Sequence, residues 1–226
     1  MMSDPRVAGW AFNKNKEGSL LGSSVLLVMA FTALLLWPGW LTGIFIGIVF
    51  PFWCILFYFF RDPERVMGRS KNSYYSPGDG VVSDIETVQE VDYLKQEFVR
   101  IGIFLSVFDV HVQRAPMSGK VDFVTHKAGK NHPAYDPAAS FENDQIIMGL
   151  ETDYGKILVK QISGILARKC YNYAKIGAQI QSGQRYGLIK FGSRVELYLP
   201  PDTKILCSIG DKVQAGISEL AQINKD

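Results

Sequence analysis

Gly192 and Ser193 form the pair with the clearest chemical potential in this sequence. They lie in the stretch LIKFGSRVELYLP, directly ahead of an alternation in which Val195, Leu197 and Leu199 are apolar and the residues between them are polar. Such a period-two alternation predicts a half-buried β-strand. A serine hydroxyl at the start of that strand could attack the carbonyl carbon of Gly192, because glycine has no side chain in the way. A held geometry would give this intramolecular acyl shift a high effective concentration.

Two other interpretations of Ser193 follow from the same residues. Gly-Ser is a common turn dipeptide, and two further copies, Gly18-Ser19 and Gly22-Ser23, occur at or within an apolar run. Ser193 could also be the nucleophile of a conventional serine hydrolase, although the flanking FGSRV lacks the GxSxG elbow of that class. The choice between these interpretations depends on partner residues elsewhere in the chain.

Candidate partners occur at three places in the sequence. Asp79 follows a Pro-Gly turn and precedes a predicted strand, a position that an ordinary turn aspartate could also occupy. The apolar stretch FLSVF ends in Asp109, His111 and Arg114, and the first two would share a face if the strand continued through them. A histidine in that setting is a candidate general base. Glu142 lies on a polar, turn-rich segment, which could be no more than a solvated loop.

The composition excludes several classes of protein. The chain has 226 residues, a formal net charge of +2, three cysteines and three histidines. The cysteines, at 54, 170 and 207, have no CxxC spacing, which argues against a disulfide framework or a zinc site and fits a reducing compartment. No HExxH or HxH motif occurs, so no metal site is expected. No basic run with interleaved aromatic residues follows Phe60, so no nucleic-acid partner is expected.

The apolar run from Gly18 to Phe60 contains no charged residue. As one helix it would measure about 65 Å, roughly twice the hydrocarbon thickness of a bilayer. The segment WPGW at 37–40 is a turn signal flanked by aromatic residues. We therefore predict a transmembrane hairpin at 18–60, with spans at about 20–37 and 41–60, after a cytoplasmic lead-in at 1–17. A hairpin that dips into one leaflet, or one buried in a soluble protein, is the alternative.

Basic residues flank the predicted hairpin on both sides. Lys14 and Lys16 precede it, and a cluster between Arg61 and Lys71 follows it. The positive-inside rule then places both ends in the cytoplasm. We expect a domain at 61–226 to lie on the cytoplasmic face of the inner membrane.

This domain is predicted to be mainly β. Strand composition occurs at Gly80–Val91, Phe98–Phe108, Lys156–Gln161 and Ile189–Leu199, with glycine and proline between the segments. The segment Gln161–Cys170 is predicted to be a strand that runs into a short helix. The turn GDKVQAG resembles those of barrel-sandwich folds such as the lipoyl domain, a likeness of fold alone. The predicted fold class is a barrel-sandwich-like β domain with few short helices, behind the transmembrane α-helical hairpin.

Six segments in a fixed order carry a more specific resemblance. FFRDPER, SPGDG, FLSVFDVHVQRAP, an EN-containing loop, QISGILAR and FGSRVELYLP follow one another between about residues 59 and 200. In this order they resemble the short-form (archaeal-type) phosphatidylserine decarboxylase family, as does the hairpin ahead of RDPER. The resemblance implies an enzyme that converts phosphatidylserine to phosphatidylethanolamine through a Schiff base to a pyruvoyl group. That covalent group would arise by self-cleavage of a proenzyme, and no metal or diffusible cofactor would be needed.

The resemblance also implies roles for particular residues. Self-cleavage would fall between Gly192 and Ser193 and leave a β chain, 1–192, and an α chain, 193–226, that remain associated. Ser193, His111 and Asp79 would match the family's Ser-His-Asp arrangement, with Asp109 as an alternative to Asp79.

This chain departs from the long-form members of the family in one respect. They carry two histidines where this chain has His111 and Arg114, and arginine cannot act as a base at neutral pH. His111 is therefore predicted to be the base for processing, for turnover or for both. Arg114 is predicted to hold the substrate phosphate or carboxylate, and Asp109 and Glu142 are further candidate substrate contacts.

The predicted substrate is a membrane lipid, so the hairpin would hold the domain next to the lipid headgroup. The sequence leaves open whether the lipid tails are acyl or isoprenoid and whether the chain forms a homo-oligomer. The competing hypothesis is a membrane-tethered barrel-sandwich binding module without catalysis.

Overall fold

A pair of helices opens the structure. The computed structural model describes residues 5–68, 70–136, 138–165, 169–190 and 192–224. Helix α1 (Pro5–Leu36) and helix α2 (Trp40–Phe59) are joined by a turn at the predicted WPGW segment. Trp53 Nε1 donates a hydrogen bond of 3.0 Å to Ser24 Oγ and ties the two helices together. The first four residues of the predicted lead-in lie outside the described residues, and the rest of it is helical.

The two helices differ in their capacity to span a membrane. Helix α2 is long and apolar enough to span a membrane, and almost none of it is buried within the protein. The apolar part of α1, Leu20–Leu36, is shorter. Large apolar side chains such as Leu35, Trp40 and Ile48 are mostly exposed on this pair. An apolar surface of this extent is stable in lipid and unfavourable in water.

The remainder of the described chain is mainly β, as predicted. One short helix, α3 (Ala139–Glu142), lies on the polar loop ahead of β6. The strands are β1 (Ser73–Tyr75), β2 (Gly80–Gln89), β3 (Glu97–Leu105), β4 (Val112–Arg114), β5 (Gly119–Lys127), β6 (Gln145–Thr152), β7 (Gly155–Ile162), β8 (Cys170–Asn172), β9 (Gln179–Ile180), β10 (Arg185–Ile189), β11 (Ser193–Leu199), β12 (Lys204–Ile205), β13 (Lys212–Val213) and β14 (Glu219–Gln222).

Three antiparallel sheets contain these strands. The largest has the order β13-β2-β3-β11-β7-β6-β5-β9, and the smaller two are β4-β10-β8 and β1-β14-β12. Strand β11 lies inside the large sheet, between β3 and β7. Its first residue, Ser193, pairs with Leu105, and Arg194 pairs with Ile162. The strand that begins with Ser193 is therefore held by backbone hydrogen bonds on both sides.

The prediction that β11 is half-buried was wrong. Val195, Leu197 and Leu199 lie in the main hydrophobic core as expected, but the whole strand is buried. The opposite face carries Arg194 and Glu196, whose side chains form a hydrogen bond of 2.7 Å. Paired charges tolerate burial where unpaired charges do not. Alternation of residue types identified the core face, but it could not show that the polar face is covered as well.

Two predicted strands are interrupted beside Ser193. The strand predicted to reach Phe108 ends at Leu105, and a turn follows it. The strand predicted from Ile189 to Leu199 is two strands, since β10 ends at Ile189 and β11 begins at Ser193. The predicted short helix before Cys170 falls largely on residues 166–168, outside the described part of the chain. Both interruptions bring loop residues to the end of the sheet where Ser193 lies.

Candidate functional site

The Gly192–Ser193 peptide bond stands between β10 and β11. Gly192 has a φ of +57°, in the left-handed region that glycine adopts readily and other residues seldom do. Ser193 is fully buried, and its Oγ has no hydrogen-bond partner among the described residues. Buried hydroxyls are nearly always hydrogen-bonded, so an unpartnered one needs an explanation. A nucleophile that must be free to reach its neighbour's carbonyl is such an explanation.

Gly164 packs directly against the bond. A Cβ atom built on Gly164 would overlap the carbonyl oxygen of Gly192. The segment after β7 therefore approaches the Gly192 carbonyl with backbone alone. Sequence reasoning did not single out Gly164, although it lies in the QISGILAR segment that carries part of the resemblance.

His111 is the buried base candidate. Its Nδ1 lies 2.9 Å from the backbone carbonyl oxygen of Asp109. Because a carbonyl only accepts hydrogen bonds, Nδ1 carries the proton and Nε2 keeps its lone pair. Nε2 is buried and has no hydrogen-bond partner among the described residues. Burial lowers the pKa of His111 to about 4, against the opposing effects of the Asp109 carbonyl and of nearby carboxylates. The imidazole is therefore neutral at pH 7 and able to accept a proton.

The backbone of His111 is held from two sides. Its carbonyl oxygen accepts hydrogen bonds from Gln113 Nε2, at 2.8 Å, and from the backbone amide of Ile189, at 3.2 Å. Ile189 lies four residues before Ser193, and Leu105, which pairs with Ser193, lies six residues before His111. The two segments that carry His111 and Ser193 thus run beside each other at this end of the domain.

The carboxylates of Asp109 and Asp79 form hydrogen bonds that the sequence did not predict. Asp109 and His111 do not share a strand face, because the Asp109 carboxylate accepts the Ser106 amide at 2.8 Å and closes a turn. The Asp79 carboxylate accepts two hydrogen bonds of 2.6 Å from Arg65 and one of 2.9 Å from the Ala215 amide. The structure orients His111 by the Asp109 backbone, and Asp79 affects the imidazole through its charge.

A cleft of about 740 Å³ opens beside these residues. Asp79 and Asp109 both line it, together with the cations Arg61 and Lys212 and the exposed ring of Phe108. Its volume lies within the range of small-ligand sites. Sequence reasoning treated Arg61 only as a flanking charge and did not identify Lys212.

Arg114 and Glu142 are not among the residues that line this cleft, and neither are Ser193 and His111, which are buried behind it. Arg114 is buried, and its guanidinium donates to Asp62 Oδ1 at 3.2 Å and to the Gly183 carbonyl at 3.2 Å. Glu142 is exposed and accepts hydrogen bonds from Lys130, at 2.8 Å, and His132, at 3.0 Å. The hydrogen bond from Lys130, followed by that from His132, lowers the pKa of Glu142.

A buried ionic cluster supports the strand behind Ser193. Glu196 Oε1 accepts hydrogen bonds from Arg194 Nε, at 2.7 Å, and from Ser140 Oγ, at 2.6 Å. Arg194 also donates to Asp84 at 2.7 Å, and Arg100 forms an ion pair with Asp84 at 3.2 Å. The cluster joins β11 to β2, β3 and α3, so it fixes the strand that begins with Ser193.

The fold and the site together define a class of protein. It has a mainly β domain behind an apolar helix pair, with a buried serine after a left-handed glycine and a buried neutral histidine on a neighbouring loop. One family model matches most of this chain.

The match is to the family model described as phosphatidylserine decarboxylase, over residues 54–220. A phosphatidylserine decarboxylase proenzyme from Carboxydothermus hydrogenoformans is 41% identical over 82% of this chain and 88% of its own length. The proenzyme of that name from Symbiobacterium thermophilum is 36% identical over 95% of this chain and 94% of its own. One from Desulfotalea psychrophila is 44% identical over 74% of this chain and 78% of its own. This chain belongs to the phosphatidylserine decarboxylase family.

Proposed function

We propose that this chain decarboxylates phosphatidylserine to phosphatidylethanolamine with a pyruvoyl group that it makes from Ser193. Membership of the family supports the activity, and the relatives are named as proenzymes. The observation that carries the proposal is the buried, unpartnered Ser193 Oγ directly after the left-handed Gly192. A pyruvoyl group fits here, because a serine in this position can be converted without displacing any hydrogen-bond partner that the structure describes.

Self-cleavage begins with an acyl shift. His111 Nε2 accepts the proton of Ser193 Oγ while the oxygen bonds to the carbonyl carbon of Gly192. The peptide C–N bond then breaks, the proton passes to the Ser193 nitrogen, and an ester remains. The left-handed φ of Gly192 and the close backbone of Gly164 support a fixed geometry at this carbonyl.

Elimination completes the conversion. Removal of the Ser193 Cα proton breaks the Cβ–Oγ bond, and Gly192 leaves as a carboxylate. The dehydroalanine that remains takes up water and loses ammonia, which leaves a ketone without any oxidation or reduction. The fragments 1–192 and 193–226 stay together, because β11 pairs with β3 on one side and β7 on the other.

In decarboxylation, the pyruvoyl group and the protein side chains would have different roles. A pyruvoyl group derived from Ser193 would supply an electron sink for the pair released as CO₂ leaves the lipid serine. His111 Nε2 first accepts the proton that the lipid ammonium must lose to become a nucleophile, and then returns that proton to the carbon that loses CO₂. The buried site keeps bulk water away from that carbon until the proton has been transferred.

The cleft is complementary in charge to the phosphoserine headgroup. That headgroup carries two anionic groups and one ammonium. Arg61 and Lys212 can pair with the anions, and the Asp109 carboxylate can pair with the ammonium. Roles for Arg114 and Glu142 as substrate contacts remain predictions, and the partners described above occupy both side chains.

The position of the helix pair supports a location of the cleft near a lipid surface. Helix α2 could span a membrane, and Arg61, which lines the cleft, follows its last residue by two positions. The basic residues on both flanks of the pair favour a cytoplasmic location for the β domain, at the inner membrane.

Turnover by purified full-length chain in phosphatidylserine vesicles tests this function. The wild-type chain should release CO₂ and form phosphatidylethanolamine, and phosphatidylcholine vesicles should give neither. Ser193→Ala should abolish turnover, whereas the exposed Ser208→Ala should retain it. Full turnover by Ser193→Ala would refute the role of Ser193, and an inactive, uncut wild-type chain would favour a binding module.

A further inference from the structure

Helix α2 ends directly on the base candidate of the site. The ring of Phe59, the last residue of α2, lies with its centroid 4.3 Å from that of the His111 imidazole, at an interplanar angle of 37°. We propose that Phe59 is a positioning residue for His111, so that the seating of the membrane helix on the β domain sets the competence of the site. The inference rests on the proposed function in one respect, the role of His111 as the proton carrier.

Phe59 differs from its neighbours on the helix. Its side chain is 2% exposed, whereas Phe52, two turns earlier, is 54% exposed. Phe59 and the adjacent Phe60 pack edge to face, with centroids 5.1 Å apart. Both belong to a buried cluster that includes Val110 and Val112, the residues on either side of His111. The end of α2 thus packs into the protein around His111, whereas other aromatic rings of α2, such as Phe52 and Phe57, are exposed.

Arg61 extends this contact to the loop that orients the imidazole. Its guanidinium donates to the backbone carbonyl of Phe108 at 2.6 Å and to that of Tyr58 at 3.1 Å. It also lies 3.8 Å from the centroid of the Tyr58 ring. The next residue after Phe108 is Asp109, whose carbonyl accepts the Nδ1 proton of His111. A displacement of the helix end would therefore disturb both the ring that covers the imidazole and the loop that sets its tautomer.

The charged groups around His111 come from three segments. Asp109 precedes it on the same loop, Asp79 lies in the turn before β2, and Arg61 follows α2. The two carboxylates favour the protonated imidazole and the guanidinium opposes it, but burial is the largest effect and lowers the pKa to about 4. Phe59 contributes to that burial by covering one face of the ring. Removal of Phe59 should admit water and raise the pKa from about 4 towards the ordinary value.

The direction of the effect on catalysis follows from the role of Nε2. As a base it must be unprotonated, so the acid limb of activity lies near the pKa of His111. If that pKa rises when Phe59 is removed, activity should be lost at a higher pH than in the wild type. A residue that only stabilised the fold would change the amount of active protein, but it would not change the pH at which activity falls on the acid side of the profile.

The test compares Phe59→Ala and Phe59→Leu with Phe52→Ala in the full-length chain in detergent micelles. A short-chain, water-soluble phosphatidylserine is the substrate, so that delivery of lipid from a membrane does not limit the rate. Phe59→Ala should move the acid limb of kcat/KM upwards by about one to two pH units, with KM little changed. A shift of one unit should lower kcat at pH 5 by about twofold, and a shift of two units by about tenfold. Phe59→Leu should be intermediate, and Phe52→Ala should match the wild type.

Titration of the His111 imidazole by NMR measures the pKa of His111 directly, without turnover. In the Ser193→Ala background its pKa should be higher with Phe59→Leu than with Phe59. An unshifted limb and an unshifted imidazole pKa in folded Phe59 variants would overturn the inference. Should Phe59→Ala fail to fold, Phe59→Leu and the NMR titration decide the matter. Full turnover by His111→Ala would instead overturn the proposed role of His111, which separates the two failures.

Discussion

At the scale of single residues, two polar atoms define the site. Ser193 Oγ and His111 Nε2 are buried, and neither has a hydrogen-bond partner among the described residues. An unsatisfied buried polar group costs about 1–3 kcal/mol, so these two atoms lower the stability of the domain. The proposed function gives both atoms a use, Ser193 as the nucleophile and His111 as the base.

Gly164 offers a test of the cleavage geometry that leaves the nucleophile intact. Gly164→Ala should slow self-cleavage by about tenfold or more, because the new methyl group would displace the carbonyl of Gly192. The time course of fragment formation after synthesis measures this rate. Gly22→Ala is the matched control, since a Cβ atom there meets nothing within 4 Å. Equal rates for Gly164→Ala and Gly22→Ala would show that the close approach has no part in cleavage.

The pH dependence of turnover tests the protonation state of His111. His111→Ala should lower decarboxylation by at least about a hundredfold, the usual contribution of a positioned proton carrier. Wild-type activity should persist down to about pH 4, because burial lowers the pKa of His111 to about 4 and keeps the base neutral above it. The pH dependence of kcat/KM checks this, provided that the protein stays folded. An acid limb near the ordinary histidine value would contradict the buried, neutral base.

At the scale of elements, the strand that carries Ser193 depends on a buried ionic cluster. Glu196 is fully buried and is bonded to both Arg194 and Ser140. Removal of one member of a buried ion pair leaves the other charge unpaired, which is costly. The cluster therefore stabilises β11, and it would continue to do so after the proposed cleavage ahead of Ser193.

Glu196→Gln is expected to destabilise the domain by about 3 kcal/mol or more, because it leaves Arg194 without one of its buried anions. Glu86→Gln is the control: this carboxylate pairs with Arg100 at 2.6 Å, but its side chain is 58% exposed, so its loss should cost at most about 1 kcal/mol. The midpoint of thermal unfolding, measured for both variants in the same detergent, provides the comparison. Equal midpoints would show that the cluster is not needed for stability.

The elements also show what could be predicted from the sequence. The hairpin, the mainly β domain and the core face of β11 were predictable, because each follows from local composition or periodicity. The burial of Arg194 and Glu196 was not, since it depends on elements far away in the chain. The same holds for the orientation of His111, which is set by the backbone of Asp109 and by the ring of Phe59. Residue spacing predicts neither a hydrogen bond to a backbone carbonyl nor a contact between segments that are distant in the chain.

At the scale of the whole molecule, the cleft, the base and the helix pair meet in one region. Arg61 contacts the end of α2, lines the cleft and bonds to the loop before His111. A lipid headgroup at the membrane surface would meet this region without leaving the bilayer. In the proposed function, this placement brings the site close to the membrane that α2 could span.

Lys212 tests the electrostatic part of this placement. Lys212→Glu should raise KM for phosphatidylserine several-fold and change kcat less, because it reverses a cation that lines the cleft. Lys204→Glu changes the net charge equally at an exposed position on β12, so it controls for attraction to the anionic vesicle as a whole. The kinetic constants in vesicles of fixed phosphatidylserine content are the measurement. Equal increases in KM for the two variants would assign the effect to general attraction.

The central claim is that Ser193 cuts the chain ahead of itself and becomes the reactive ketone. The intact mass of catalytically active protein under denaturing conditions tests it most directly. The account predicts two fragments, 1–192 and 193–226, with the smaller one lighter by one ammonia than a peptide that begins with serine. An uncut active chain, or a smaller fragment that retains a free amine, would contradict it.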